Sequence, residues 1–164
     1  MGFELMLRGT RRASPREVRN PFTGQLQMHA PVAMSETELQ GTLAVLARHG
    51  GRLDECGSGL VRLEGAALQF SGFNAEGDLI KVIGDLRVAC RVLFDLAAAG
   101  QMAILPDSGH GLVTSSEALA RAQQLGEELG TPVFVVENAE ALATALTSEC
   151  ESARAYAEQA VRGG

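Results

Sequence analysis

The sequence contains no Trp, and six Phe and one Tyr bring its aromatic content to only 4%. Its core must therefore be built mainly from Leu, Val, Ile and Ala, and stacking platforms for sugars or bases are in short supply. The three cysteines, Cys56, Cys90 and Cys150, are an odd number, widely spaced, with no C-x-x-C among them. His29, His49 and His110 are just as scattered, so no zinc site and no other metal site is expected. Neither G-x-G-x-x-G nor a Walker motif occurs, and no nucleotide cofactor is implied.

Long apolar runs are missing too. No stretch of about 18 apolar residues is present to span a bilayer, so no membrane partner is expected. The opening MGFELMLRGTRR places Glu4 inside its apolar stretch and lacks both a long hydrophobic region and a small-residue cleavage site. It reads as a first strand, and with the cysteine usage it points to a reduced, cytoplasmic setting. Met6 also stands where a myristoylation signal wants Ser or Thr.

What is present fits one globular domain over residues 1–164, with 46% hydrophobic and 21% charged residues. A chain of this size buries roughly 70% of the surface that its unfolded form exposes. The net charge of −6 is unevenly spread. Residues 1–34 hold five Arg against Glu4 and Glu17 (+3), so of the 14 bases and 20 acids, nine and eighteen remain beyond them (−9). That balance repels nucleic acid and favours a basic protein partner.

Strand signals come first. FELMLRG (3–9) is a short apolar run, and REVRNPFTGQLQMHAP offers two extended arms around Asn20-Pro21-Phe22-Thr23-Gly24, a hairpin turn in which Pro fixes φ and Gly supplies the left-handed position. From Met34 to His49 the period changes to helical: Ser35 and Glu38 form a capping box, Leu39, Leu43 and Leu46 share a face, and Gly50-Gly51 closes the element.

A second hairpin turns at Glu64-Gly65, and DLIKVIG adds a strand. Val88, Val92, Leu93 and Leu96 mark a helix over 85–99 that Gly100 is expected to stop, and QMAILP returns to strand. A short extended piece, LVT, follows the 107–110 loop, which makes that loop a hairpin turn. Thr114-Ser-Ser-Glu117 then reads as a capping box for a helix reaching Gly130, TPVFVV as a buried strand, and Asn138 to about Val161 as a last amphipathic helix.

Most neighbouring strands are joined by connections too short for parallel crossovers. The fold class is therefore α+β: a single domain with a mixed, mostly antiparallel sheet built from hairpins and covered by about four helices. Pro132 to Val136, reached through a helix, is the one strand expected to lie parallel to its neighbour.

Four sets of residues are candidates for chemistry or binding. Asp107, Ser108 and His110 place an acid, a hydroxyl and an imidazole on one glycine-flanked loop. A hydrolytic triad needs its members brought together from separate segments, so these three would need help from Glu76 or Cys56, whereas Pro-Asp-Ser-Gly is also an ordinary turn sequence. The turn reading is preferred, and the chain is expected not to be an enzyme; a small hydrolase or transferase using this loop is the alternative. His49-Gly50-Gly51 is similar to the oxyanion loop of lipases, but no G-x-S-x-G elbow accompanies it. Arg8, Arg11, Arg12, Arg16 and Arg19 form the only basic cluster, either a solvated, edge-protecting run or an anion clamp.

The acidic set is larger. Glu127, Glu128, Glu137, Glu140, Glu149, Glu151 and Glu158 flank the last strand and line the last two helices with few bases between them. Gathered on one side of a small protein, such charges would steer a basic partner.

Size, acidity and missing catalytic motifs, together with the passage VLFDLAAAGQMAILP (Val92–Pro106), resemble the small, acidic, cytoplasmic immunity proteins of bacterial toxin systems. The passage is similar to a junction in uncharacterised members of such groups and carries no functional residue to transfer. The resemblance implies an inhibitor that neutralises a toxin by direct binding and performs no chemistry. A homo-oligomeric scaffold is a third reading.

Overall fold

The computed structural model describes residues 2–12, 14–107 and 110–147. Eleven strands are described: β1 (Gly2–Arg8), β2 (Arg11–Arg12), β3 (Arg16–Arg19), β4 (Leu26–His29), β5 (Val32–Ala33), β6 (Gly59–Leu63), β7 (Ala66–Phe70), β8 (Gly77–Gly84), β9 (Ala103–Pro106), β10 (Gly111–Val113) and β11 (Val133–Val135). The helices are α1 (Glu36–Arg48), α2 (Leu86–Gly100), α3 (Ser116–Leu125) and α4, which is helical over 139–147.

Seven strands form the main sheet in the order β11-β10-β9-β1-β8-β7-β6. Every pairing in it is antiparallel except β10 with β11, the strand reached through α3. The fold is α+β, a mixed and mostly antiparallel sheet with helices on it. Two small antiparallel pairs, β2-β5 and β3-β4, stand apart from this sheet.

Strand alternation sends successive side chains to opposite faces, and here the two faces are covered unequally. Leu5 and Leu7 of β1, Ile80 and Val82 of β8, and Leu68 and Phe70 of β7 point to one face and are buried with Val45 and Leu46 of α1, Val92, Leu93 and Leu96 of α2, and Leu142 and Leu146 of α4. On the second face Ala103 and Val113 are buried under Ala118, Ala122 and Leu125 of α3, with Val32 of β5. That second cluster draws on β9, β10 and β5, with Val133 of β11 packed against it, but takes nothing from β1, β8, β7 or β6.

Local rules explain the helix ends, with three corrections. Ser35 and Glu38 do form the capping box of α1. The N-cap of α3, however, is Ser115, whose hydroxyl accepts from the Ala118 N–H, so the box does not fall on Thr114 and Glu117. Glu117 instead pairs with Arg121 one turn on, and Thr114 Oγ1 is buried with no hydrogen-bond partner among the described residues. The helix also ends at Leu125, where a 3-10 turn over Gly126–Glu128 replaces the α-helix expected as far as Gly130.

At the end of α2 the expected stop, Gly100, is still helical and the left-handed residue is Gln101, at φ 49°. Gly100 answers a packing need, since a Cβ there would lie 2.6 Å from Met34 Sδ and 2.7 Å from Thr42 Oγ1. Gln101 is held by its partners: its carbonyl accepts from Thr10 Oγ1 at 2.6 Å, its Nε2 donates to Ala98 O, and its Oε1 accepts from Ser115 Oγ.

Candidate functional site

The sequence turns back at Asn20–Gly24 because the Asn20 side chain accepts from the Phe22 and Thr23 N–H groups while its carbonyl accepts from Gly24, a residue at φ 71°. The hairpin so formed, β3 with β4, pairs Arg16 with His29 and Arg19 with Leu26. All residues of both strands are exposed, which makes the hairpin a projecting arm that does not fold back over the rest of the chain. Val18, Leu26 and Met28 lie along it in solvent, and Phe22 at its tip is 94% exposed.

Beside the root of this arm lies the part of the sheet that α3 does not reach. Met6 of β1, Leu79 and Ile83 of β8 and Leu60 of β6 are exposed there, with Met6 paired to Leu79 and the Glu4–Lys81 pair beside them. On this open face β8 carries Leu79 and Ile83 on either side of Lys81, and β1 carries Met6 between Glu4 and Arg8. A cleft of about 590 Å³ joins arm root to sheet, lined on one side by Met6, Arg8 and Leu79 and on the other by Arg12 and His29 to Val32.

Ion pairs fix the root. Arg12 pairs with the Glu128 carboxylate and donates to Ala30 O, and Arg8 donates to Glu128 O. Arg11 and Arg121 both reach Glu38, at 3.3 and 2.9 Å. Burial alone would raise the Glu38 carboxyl, but the Ser35 N–H and the two guanidinium groups outweigh it and hold the group at about 2, below the ordinary 4.5. Of the basic cluster, Arg8, Arg11 and Arg12 thus have acceptors at the root, and Arg19 donates to Gly24 O within the arm.

The sequence-derived candidates are dispersed. Asp107 and His110 are exposed on the β9-β10 connection, and the His110 ring stands edge-on to Phe134 of β11, centroids 4.9 Å apart; Ser108 lies outside the described residues. Glu76 lines the cleft at the arm root, whereas Cys56 is exposed in the loop before β6. The cleft takes in neither His110 nor Cys56. Cys90 is buried in α2, where desolvation and the nearby Asp85 charge push its thiol up to about 12, away from nucleophilic use.

Among the acids, Glu128 is engaged by Arg12, while Glu137 and Glu140 are exposed just beyond β11. Glu140 lines a cleft of about 320 Å³ with Arg87 and Arg91 of α2. The side chain of Glu127 and the residues Glu149, Glu151 and Glu158 lie outside what the structure describes, as does the last part of the helix expected to reach Val161. Among the described residues no three or more His, Cys, Asp or Glu are grouped to hold a metal, and no helix is long and apolar enough to cross a membrane.

Sequence reasoning located the arm but not its exposure, and it missed the uncovered sheet half altogether. The signal was there in FELML and DLIKVIG, whose apolar residues occupy both alternation phases. Comparison with protein-family models, with curated proteins and with solved structures found no match.

Proposed function

We propose that this chain is a non-enzymatic binding module for a basic protein, of the kind that an immunity protein forms with its toxin. The observation that carries this reading is the edge strand β11. It is the last strand of the sheet, it leaves Phe134 and Val135 exposed, and the exposed carboxylate of Glu137 follows two residues on, with Glu140 at the start of α4 beside Arg87 and Arg91. Apolar side chains give such a contact its affinity, and the carboxylates select a partner of opposite charge. An added strand or a docked loop from the partner would meet both. The overall charge of −6 acts in the same sense at longer range.

Affinity capture from the native host, at low and high salt, followed by mass spectrometry, tests the reading when run in parallel with Glu137→Lys/Glu140→Lys. The expected result is a basic protein retained at low salt, lost at high salt and lost with the charge-reversed variant. Recovery of no protein, or of one indifferent to both salt and charge reversal, would overturn it.

A further inference from the structure

We propose that the cleft between β2 and α3 binds a small phosphate monoester, with Arg11, Arg12 and Arg121 as the clamp on its phosphoryl group. The site involves neither the β11 edge nor the open half of the sheet.

The cleft has a volume of about 460 Å³ and is lined by Thr10, Arg11, Arg12, Arg121, Gln124 and Leu125. Three guanidinium groups, two from β2 and one from α3, share this cavity, and no carboxylate of the described residues lines it. The other charged clefts differ in this respect. Glu76, Asp78 and Glu128 stand beside Arg8 and Arg12 at the arm root, and Glu140 stands beside Arg87 and Arg91 between α2 and α4. A cavity walled by one sign of charge concentrates the opposite sign inside it.

The carboxylates that pair with these arginines hold them from outside the cavity. Glu38 Oε2 accepts from Arg11 Nη2 at 3.5 Å and from Arg121 Nη1 at 2.9 Å, so one oxygen sets two cations side by side. Arg121 also reaches Glu117, and Arg12 reaches Glu128 and Ala30 O. Glu117 and Glu128 are exposed, and water and salt screen their charge. A guanidinium has five N–H donors, and described partners take two on each of the three arginines, leaving three. Arg121, with its side chain only 17% exposed, is the best desolvated of them.

The donor set selects the ligand class. Planar forks of N–H groups match phosphoryl oxygens, and three of them suit a dianion better than a single carboxylate. The volume falls within the range of small-molecule sites and leaves room beyond one phosphoryl group. Gln124 offers an amide to that remainder, and Thr10, whose hydroxyl donates to Gln101 O, keeps its lone pairs to accept. With Leu125 as the one large apolar wall, the body of the ester is small and polar.

Isothermal titration calorimetry of the full chain at fixed ionic strength tests this, with inorganic phosphate and glycerol 3-phosphate as the probes. Gln124→Glu brings a carboxylate to the cleft, Arg12→Gln removes one clamp, and Arg87→Gln/Arg91→Gln removes two arginines from a different cleft as a control. All four positions are exposed, so far-UV circular dichroism of the variants should match the wild type. Expected is one saturable site for both probes, with the ester bound at least as tightly as the free ion. Binding should weaken about tenfold or more in Gln124→Glu and in Arg12→Gln, the effect of one charge-assisted hydrogen bond, and stay unchanged in the control. The absence of saturable phosphate binding, cleft variants that bind like the wild type, or a control weakened as much as they are would each overturn the proposal. So would a cleft that takes inorganic phosphate and excludes the ester.

Discussion

Oε2 of Glu38 lies 2.9 Å from Nη1 of Arg121, a residue 83 positions along the chain, while its Oε1 accepts from the Ser35 N–H at 2.9 Å. One side chain thereby closes the capping box of α1 and ties that helix to α3, with Arg11 completing the cluster.

Glu38→Gln keeps the capping-box acceptor and removes the charge. Stability at pH 7 should fall by on the order of 2 kcal/mol, the worth of hydrogen bonds to a charged group. Because the folded-state value is depressed, this contribution is complete above 4.5 and is lost as pH falls towards about 2. Urea titrations of both proteins at pH 7 and pH 3 should show the gap narrowing in acid. A gap independent of pH would mean that charge does not carry it.

Gln101 offers a test of backbone against side chain. Gln101→Ala and Gln101→Gly lose the same hydrogen bonds to Ala98 and Ser115, but only Ala retains the cost of a Cβ at φ 49°. The Ala variant should be less stable than the Gly variant by about 1 kcal/mol, measured by thermal or urea unfolding. The reverse order would show that this backbone position is not left-handed in solution.

The 107–111 connection gives the third prediction. His110 is exposed and its described ring contact is with Phe134, so His110→Ala should cost no more than about 1 kcal/mol. Gly111 is different. A Cβ there would lie 2.8 Å from Leu105 Cδ2 and 3.2 Å from Val133 Cγ2, between the strand before it and the strand beside it. Gly111→Val should therefore destabilise by about 2 kcal/mol through overpacking, and not through a disallowed φ. Unfolding measurements that rank His110→Ala as the worse of the two would show that the loop has a structural task beyond turning the chain.

Period, caps and turns belong to the sequence, because they rest on neighbours a few residues apart. Ser35 to Glu38, the Asn20–Gly24 turn and the leucine spacing of α1 were legible for that reason, and so were the α+β class and the parallel placement of β11. Where a local rule competed with a distant contact, the tertiary structure decided. Gly100 reads as a helix stop, yet Met34 and Thr42, brought in from another segment, require the small residue there and pass the left-handed turn to Gln101.

Coverage is the larger example. Alternation in FELML and DLIKVIG puts some apolar residues in both phases, but does not say which face receives helices, since that depends on where α3 lands. It lands on β9 to β11, and the other half of that face is left to solvent beside an arm with apolar residues of its own. Glu128 was likewise one of a run of acids in the sequence. Only the return of the chain past Arg12 made it an ion-pair partner, because charges pair across space and not along the chain.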